Sequence, residues 1–244
     1  DEELWTPLDF NKDEVGSWFE IYSPGDPLGS ENPFDIELGI SKTATMYPII
    51  SVAKFKSHDV LGLTLSVKNL MGCLSKARRK STGEIIDEGA VVKAYMHGFG
   101  PKNPSMLSRK DNLTTSKTAL AININRMAKT IFPIFSVIDA APAMEGNGPL
   151  RGSINNLKLV LCSIDSVALD ALSCALINLK LDACPYIQNL GRLKLGTTNL
   201  EDIQVNDIKL FNKIRNKATF KFHDLFKHSR FTNEEIKILM NHTE

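Results

Sequence analysis

The stretch YPIISVAKFKSHDVLGLTLSVKNLMG, residues 47–72, decides how this chain is read. YPIISVAKF (47–55) is dense in β-branched and aromatic side chains and predicts a strand running into Lys56-Ser57-His58. LGLTLSVKNLMG then sets Leu61, Leu65 and Asn69 at helical spacing, which predicts a helix opened near Asp59. Lys54, Lys56 and His58 thus fall at a strand end and Lys68 in the helix that follows. In open α/β sheets, ligands collect at that edge.

Outward from this stretch, IFSVID (134–139) and LKLVLCSI (157–164) are continuous apolar runs of strand length, as expected of strands covered on both faces. SKTALAININRMAKTIF (116–132) carries Leu120, Ile124, Met127 and Ile131 at helical spacing, with Ser116 as cap. DSVALDALSCALINL (165–179) reads as a second helix, capped by Asp165 or Ser166. The fold class expected is α/β, with a mixed or mostly parallel sheet covered by helices. Residues 1–45 read as an irregular N-terminal lead-in, with SPGDPLGSENP (23–33) as consecutive turns. Residues 46–205 read as the α/β core, in which 73–115 is rich in loops and holds KARRK (76–80) and HGFGPKNPS (97–105). Residues 206–244 read as a basic, Phe-containing helical appendage, where Thr232 and Glu235 fit a capping box.

Composition excludes several functions. Of 244 residues, 43% are hydrophobic and 23% charged, which is the range of folded soluble domains. Twenty-nine basic against twenty-eight acidic residues leave a net charge of +1, so no global field draws the chain to nucleic acid or membrane. No apolar run approaches the ~20 residues that span a bilayer. Cys73, Cys162, Cys174 and Cys184 form no C-x-x-C pair, which argues against a zinc ribbon or an iron–sulphur cluster and for reduced thiols in a cytoplasmic protein. Cys73 is the thiol singled out for reactivity; the other three read as core. The first residue is Asp1 and not Met, which reads as a processed or partial chain.

KFKSH (54–58), TLSVKNLMG (64–72), DAAPAMEGNGPLRG (139–152) and SIDSVALDALSCALI (163–177), in this order, closely resemble the motifs of uncharacterised domain family 362, over about residues 50–200. The resemblance carries the family pattern to Lys56 and His58, to Lys68 and Asn69, to Asp139, Glu145, Gly146, Gly148 and Pro149, and to Asp165 and Asp170. His97 stands in for a histidine found downstream of the K-N element. The family's activity is unassigned, so the resemblance implies a fold and a site location but no reaction. Some members carry an appended ferredoxin-like domain with iron–sulphur motifs; an iron–sulphur cluster is not expected in this chain. The lysine-proline-asparagine element that usually begins the family's domain is not found.

Lysines and a histidine at a strand edge, beside the amides of a Gly-rich loop, make an anion site for carboxylate or phosphate. Lys56, His58, Lys68, Asp139 and Glu145 are therefore the catalytic candidates, with Asp139 or Glu145 as base. Asn69, Gly146, Asn147, Gly148 and Asp170 are the ligand-binding candidates. Alternatively His58, Asp139 and Glu145 hold a divalent metal, whose ordinary ligands are imidazole and carboxylate. Against these stand plainer readings: Lys56 and Lys68 as solvated heads on apolar stems, EGNGP as a turn, Asp165 as a helix cap, His97 as a loop residue. The Phe-interleaved basic stretch 206–230 could stack single-stranded nucleic acid, but docking of an appendage is favoured because no nucleic-acid motif accompanies it. The chain thus reads as an enzyme of unassigned reaction with a polar cleft for a small anionic partner, or as a non-enzymatic module that binds or delivers a cofactor or metal.

Overall fold

The computed structural model describes residues 7–24, 35–98, 113–228 and 230–244. Its centre is β3 (Ile49–His58), in which Ser51, Ala53, Phe55 and Ser57 point inward and Ile50, Val52 and Lys54 outward. β7 (Pro133–Glu145) runs parallel to it, with Ile50 opposite Phe135, Val52 opposite Val137 and Lys54 opposite Asp139. β4 (Gly62–Thr64) is antiparallel on the far edge of β3, while β8 (Ser153–Asn155) and β9 (Val160–Ser163) are antiparallel on β7. The sheet is therefore mixed. A second, antiparallel sheet has the order β1 (Val15–Glu20), β2 (Ile36–Ser41), β5 (Leu74–Arg79), β6 (Ile85–Glu88).

α1 (Lys42–Met46) joins β2 to β3, and α2 (Ser66–Asn69) packs on β3 and β7. α3 (Leu113–Thr130) lies against β1, and α4 (Ser166–Leu176) against β7 and β9. α5 (Pro185–Arg192), α6 (Ile208–Lys217), α7 (Asp224–His228) and α8 (Asn233–Asn241) complete the C-terminal part, so the α/β class with C-terminal helices is as expected. One contiguous apolar cluster runs from Phe19, Ile36 and Leu38 of the antiparallel sheet to Phe55, Ile138 and Leu176 of the mixed one. The capping box at Thr232 and Glu235 is present. Glu235 also pairs with Lys117 of α3 at 3.1 Å, both side chains buried, which fastens the last helix to the longest one.

Several expectations are corrected. Residues 15–20 and 36–41 are paired strands instead of an irregular lead-in; within the turn prediction 23–33, residues 25–33 lie outside the described residues. KARRK lies mostly on a strand, where Lys76 pairs with Glu88 and Arg78 with Glu37. Of HGFGPKNPS, residues 99–105 lie outside the described residues. The helix expected from Asp59 is a short strand, one turn of α-helix and a 3₁₀ turn, Leu70–Cys73. Gly62 turns the chain there: its φ is +84°, and a side chain would strike the buried Phe226 ring. Among the described residues the mixed sheet is covered by helices on one face, whereas β7 and β9 were expected to be buried on both.

The junction between α2 and α4 is polar although it is dry. Asp170, fully buried in α4, accepts from the Ser66 amide (2.9 Å), the Ser66 hydroxyl (2.6 Å) and the Val67 amide (3.1 Å). These amides open α2 and have no intrahelical acceptor, so the carboxylate caps a neighbouring helix from the side. Burial, only partly offset by those donors, pushes its pKa up from 3.8 to about 6. The folded state then holds more protons than the unfolded one between about pH 4 and 6. The contribution of this group to stability is full below pH 4 and falls by roughly 3 kcal/mol as the pH rises through 6. Asp170→Asn should remove that pH-dependent slope from chemical-denaturation curves and lower stability at neutral pH by about 1–3 kcal/mol, because at least one buried amide loses its acceptor.

Candidate functional site

The C-terminal ends of the parallel pair meet the EGNGP turn through one hydroxyl. Ser57 donates to the Gly146 carbonyl at 3.0 Å and accepts from the Gly148 amide at 3.2 Å. Gly146 has φ +73°, and a Cβ at Gly148 would run into the Ser57 backbone, so both glycines are needed to seat the turn on the strand. The Gly146 amide donates to the Lys221 carbonyl at 2.7 Å. Both glycine amides therefore have internal acceptors, and the expected cradle of loop amides for an anion is not presented. Glu145, buried, accepts from the Asn155 amide at 2.7 Å and from the Lys221 backbone at 3.0 Å. Asn155 donates as well to the Thr219 carbonyl at 2.6 Å. The role of Glu145 here is to fasten residues 219–221 alongside the β7–β8 hairpin.

The remaining candidates divide between core and surface. His58, the last residue of β3, is buried; its Nδ1 accepts from the Val60 and Leu61 amides of the following turn at 3.2 and 3.3 Å and lies 3.0 Å from Asp59 Oδ1. Its ring stacks on that of His97 with centroids 6.5 Å apart, and His97 Nδ1 lies 2.8 Å from the Ser116 hydroxyl. His97 is thus brought to the strand end, a juxtaposition across 39 positions of sequence that spacing alone does not reveal. Lys68 is only 9% exposed, with Nζ 3.6 Å from Met71 Sδ, and is no solvated head. Asn69 donates to Ser51 Oγ and to the Val52 carbonyl, locking α2 onto β3. Asp165 is the cap of α4, accepting from the Ala168 amide at 2.8 Å.

Lys56 is half-buried at the outward side of β3. Asp139 is paired with Lys54 at 2.6 Å, and that ammonium together with the Ala141 amide holds its carboxyl below the usual range. A carboxylate so stabilised is a weak base at neutral pH. Among the described residues no group of three His, Cys, Asp or Glu side chains is placed to hold a metal ion, so His58, Asp139 and Glu145 are not gathered into one centre. Burial pushes the Cys73 thiol up to about 11, away from reactivity, whereas Cys162, read as core, is the exposed cysteine.

Polar groups gather instead beyond the hairpin tip, in a cavity of about 380 Å³. It is lined by Gly146, Asn147, Arg151 and Ser153 from the hairpin and by Lys221, Phe222, Asp224 and Lys227 from the C-terminal part. Lys227 pairs with Asp224 at 2.8 Å, leaving the balance positive. Of these residues only Gly146 and Asn147 were singled out in the sequence. The signal for the others was divided: Arg151 closes the GPLRG motif, and the two lysines belong to the basic stretch 206–230. The phenylalanines of that stretch explain the approach, because Phe211 and Phe226 are buried and Phe220 stands 5.5 Å from Phe55, ring centroid to ring centroid. They dock the segment on the core.

These motif positions, Lys56 to Asp170, all fall within residues 35–175, which match the family described as Domain of unknown function (DUF362). The chain belongs to the DUF362 family. One relative of this DUF362 chain is the thylakoid-associated protein sll1697 of Synechocystis sp., 28% identical over 153 residues. That alignment covers 63% of this chain and 39% of the relative, so the chain spans well under half of the protein it matches. No solved structure matches it. No helix among the described residues is long and apolar enough to cross a membrane. In this DUF362 chain most motif residues are seen holding strand ends, turn and helices together. Gly148→Ala should therefore cost about 1–3 kcal/mol through the clash with the Ser57 backbone. Glu145→Ala should speed limited proteolysis within 217–223 several-fold while the far-ultraviolet spectrum stays unchanged.

Proposed function

We propose that the protein binds a small anionic molecule in the cavity beyond the EGNGP hairpin, and that binding is its primary role. The observation that carries this reading is the convergence of Arg151, Lys221 and Lys227 on a cavity of about 380 Å³ that holds one carboxylate, Asp224. Such a volume suits a small ligand, and Arg with two Lys suits phosphate or carboxylate oxygens. The cationic grip assigned from the motifs to Lys56, His58 and Lys68 moves here to residues outside them. Turnover has less support: the carboxyl whose pKa rises into the general-base range, Asp170, is fully buried and caps α2 with both oxygens. We further infer a cytoplasmic protein, on the strength of four free cysteines. The relative sll1697 is described as thylakoid-associated, and peripheral association of this chain with a membrane system is compatible with that name.

Isothermal titration with inorganic pyrophosphate, and separately with oxalate, tests the reading. Wild type should bind at least one of them with an affinity that falls as salt rises. Arg151→Ala and Lys221→Ala should each weaken it roughly three- to tenfold, as expected for exposed charge-assisted contacts. Absence of binding by wild type, or binding indifferent to both substitutions, would refute the site.

A further inference from the structure

Among the described residues, the face of the mixed sheet away from α2 and α4 is uncovered and presents an ordered apolar surface. Register pairs Val52 with Val137 and Val137 with Cys162, forming one row across β3, β7 and β9. A second row runs Lys54, Asp139, Val160, and Ile50 lies beside Phe135 on the other side. Ile50 is 59% exposed, Val52 65%, Val160 60%, and Ile164, just after β9, 81%. Strands of a parallel pair ordinarily have both faces covered, and β-branched residues in aligned rows pack well against a second sheet about 10 Å away.

We propose that this face is the interface of a two-fold homodimer, sheet against sheet. The charge pattern selects the partner. Lys54 and Asp139 stand side by side, paired with each other, on an otherwise apolar face, and the surface that best complements this pair carries an acid and a base in exchanged order. A second copy turned about a two-fold axis that passes between them offers that order, because an isologous interface that sets Lys54 against Asp139 of the second copy also sets Asp139 against its Lys54. The pair also remains neutral as a unit, which lets it be buried with its partners in place.

Sedimentation of the full chain across a dilution series should show a monomer–dimer equilibrium. Val52→Asp should shift its midpoint at least tenfold toward monomer with an unchanged circular-dichroism spectrum. Lys54→Glu should weaken the dimer, and Lys54→Glu combined with Asp139→Lys should restore it, which loss of fold in a single variant would not mimic. Cys162, on the face and the exposed cysteine, reports locally: its alkylation by N-ethylmaleimide should slow several-fold as wild type is concentrated. A monomer at every concentration with a constant alkylation rate would overturn the proposal. So would a dimer in which Cys162 stays fully reactive, or a monomer that sediments with anionic lipid vesicles through the same face.

Discussion

Asp170 sits within an apolar helix, away from water, and the three donors it accepts determine where the turn bearing Lys68 and Asn69 lies. An unpaired carboxylate there would be costly, and so would the unmatched amides of Ser66 and Val67. Each solves the other's problem. With α2 so held, Asn69 reaches Ser51 and the Val52 carbonyl, and Ser51 donates to the Ser66 carbonyl at 2.9 Å. The sheet, α2 and α4 are thereby joined through buried polar contacts that admit one arrangement.

The same economy of groups appears at the other end of β3. Ser57, Gly146, Gly148 and Glu145 are the sort of residues that motif reading assigns to a ligand, yet their hydrogen bonds close on the protein itself. Their effect on function is positional. They set the hairpin against residues 219–221, and this contact brings Lys221 and Lys227 across from Arg151. The polar cavity is thus made from two segments that are far apart in sequence, one inside the family match and one beyond it.

Much of the scaffold is legible from residue pattern. The helices at 113–130 and 166–176 follow from long runs with one apolar face and, for the second, from the Asp165 cap. β3, β7 and β9 follow from β-branched runs. The reading fails at 59–73, where Leu61, Leu65 and Asn69 keep helical spacing but the positive φ of Gly62 and the pairing with β3 impose a strand. It fails also at 15–20 and 36–41, short strands that each hold a Gly and polar residues and gain their stability from pairing, β1 with β2 and β2 with β5. Cys162 was misplaced because alternation within a continuous apolar run does not say which face will be covered.

Alone, the sequence determined the α/β class, the long helices, the family motifs and the absence of any global charge, since these depend on local periodicity and on composition. The tertiary structure decided what the motif residues do. Burial and hydrogen-bond partners distinguish a carboxylate that caps a helix from one that could reach a ligand, and partners arise only when segments about a hundred residues apart meet. For the same reason it decided that Arg151 and Lys221 share a cavity and that, among the described residues, one face of the mixed sheet is left open.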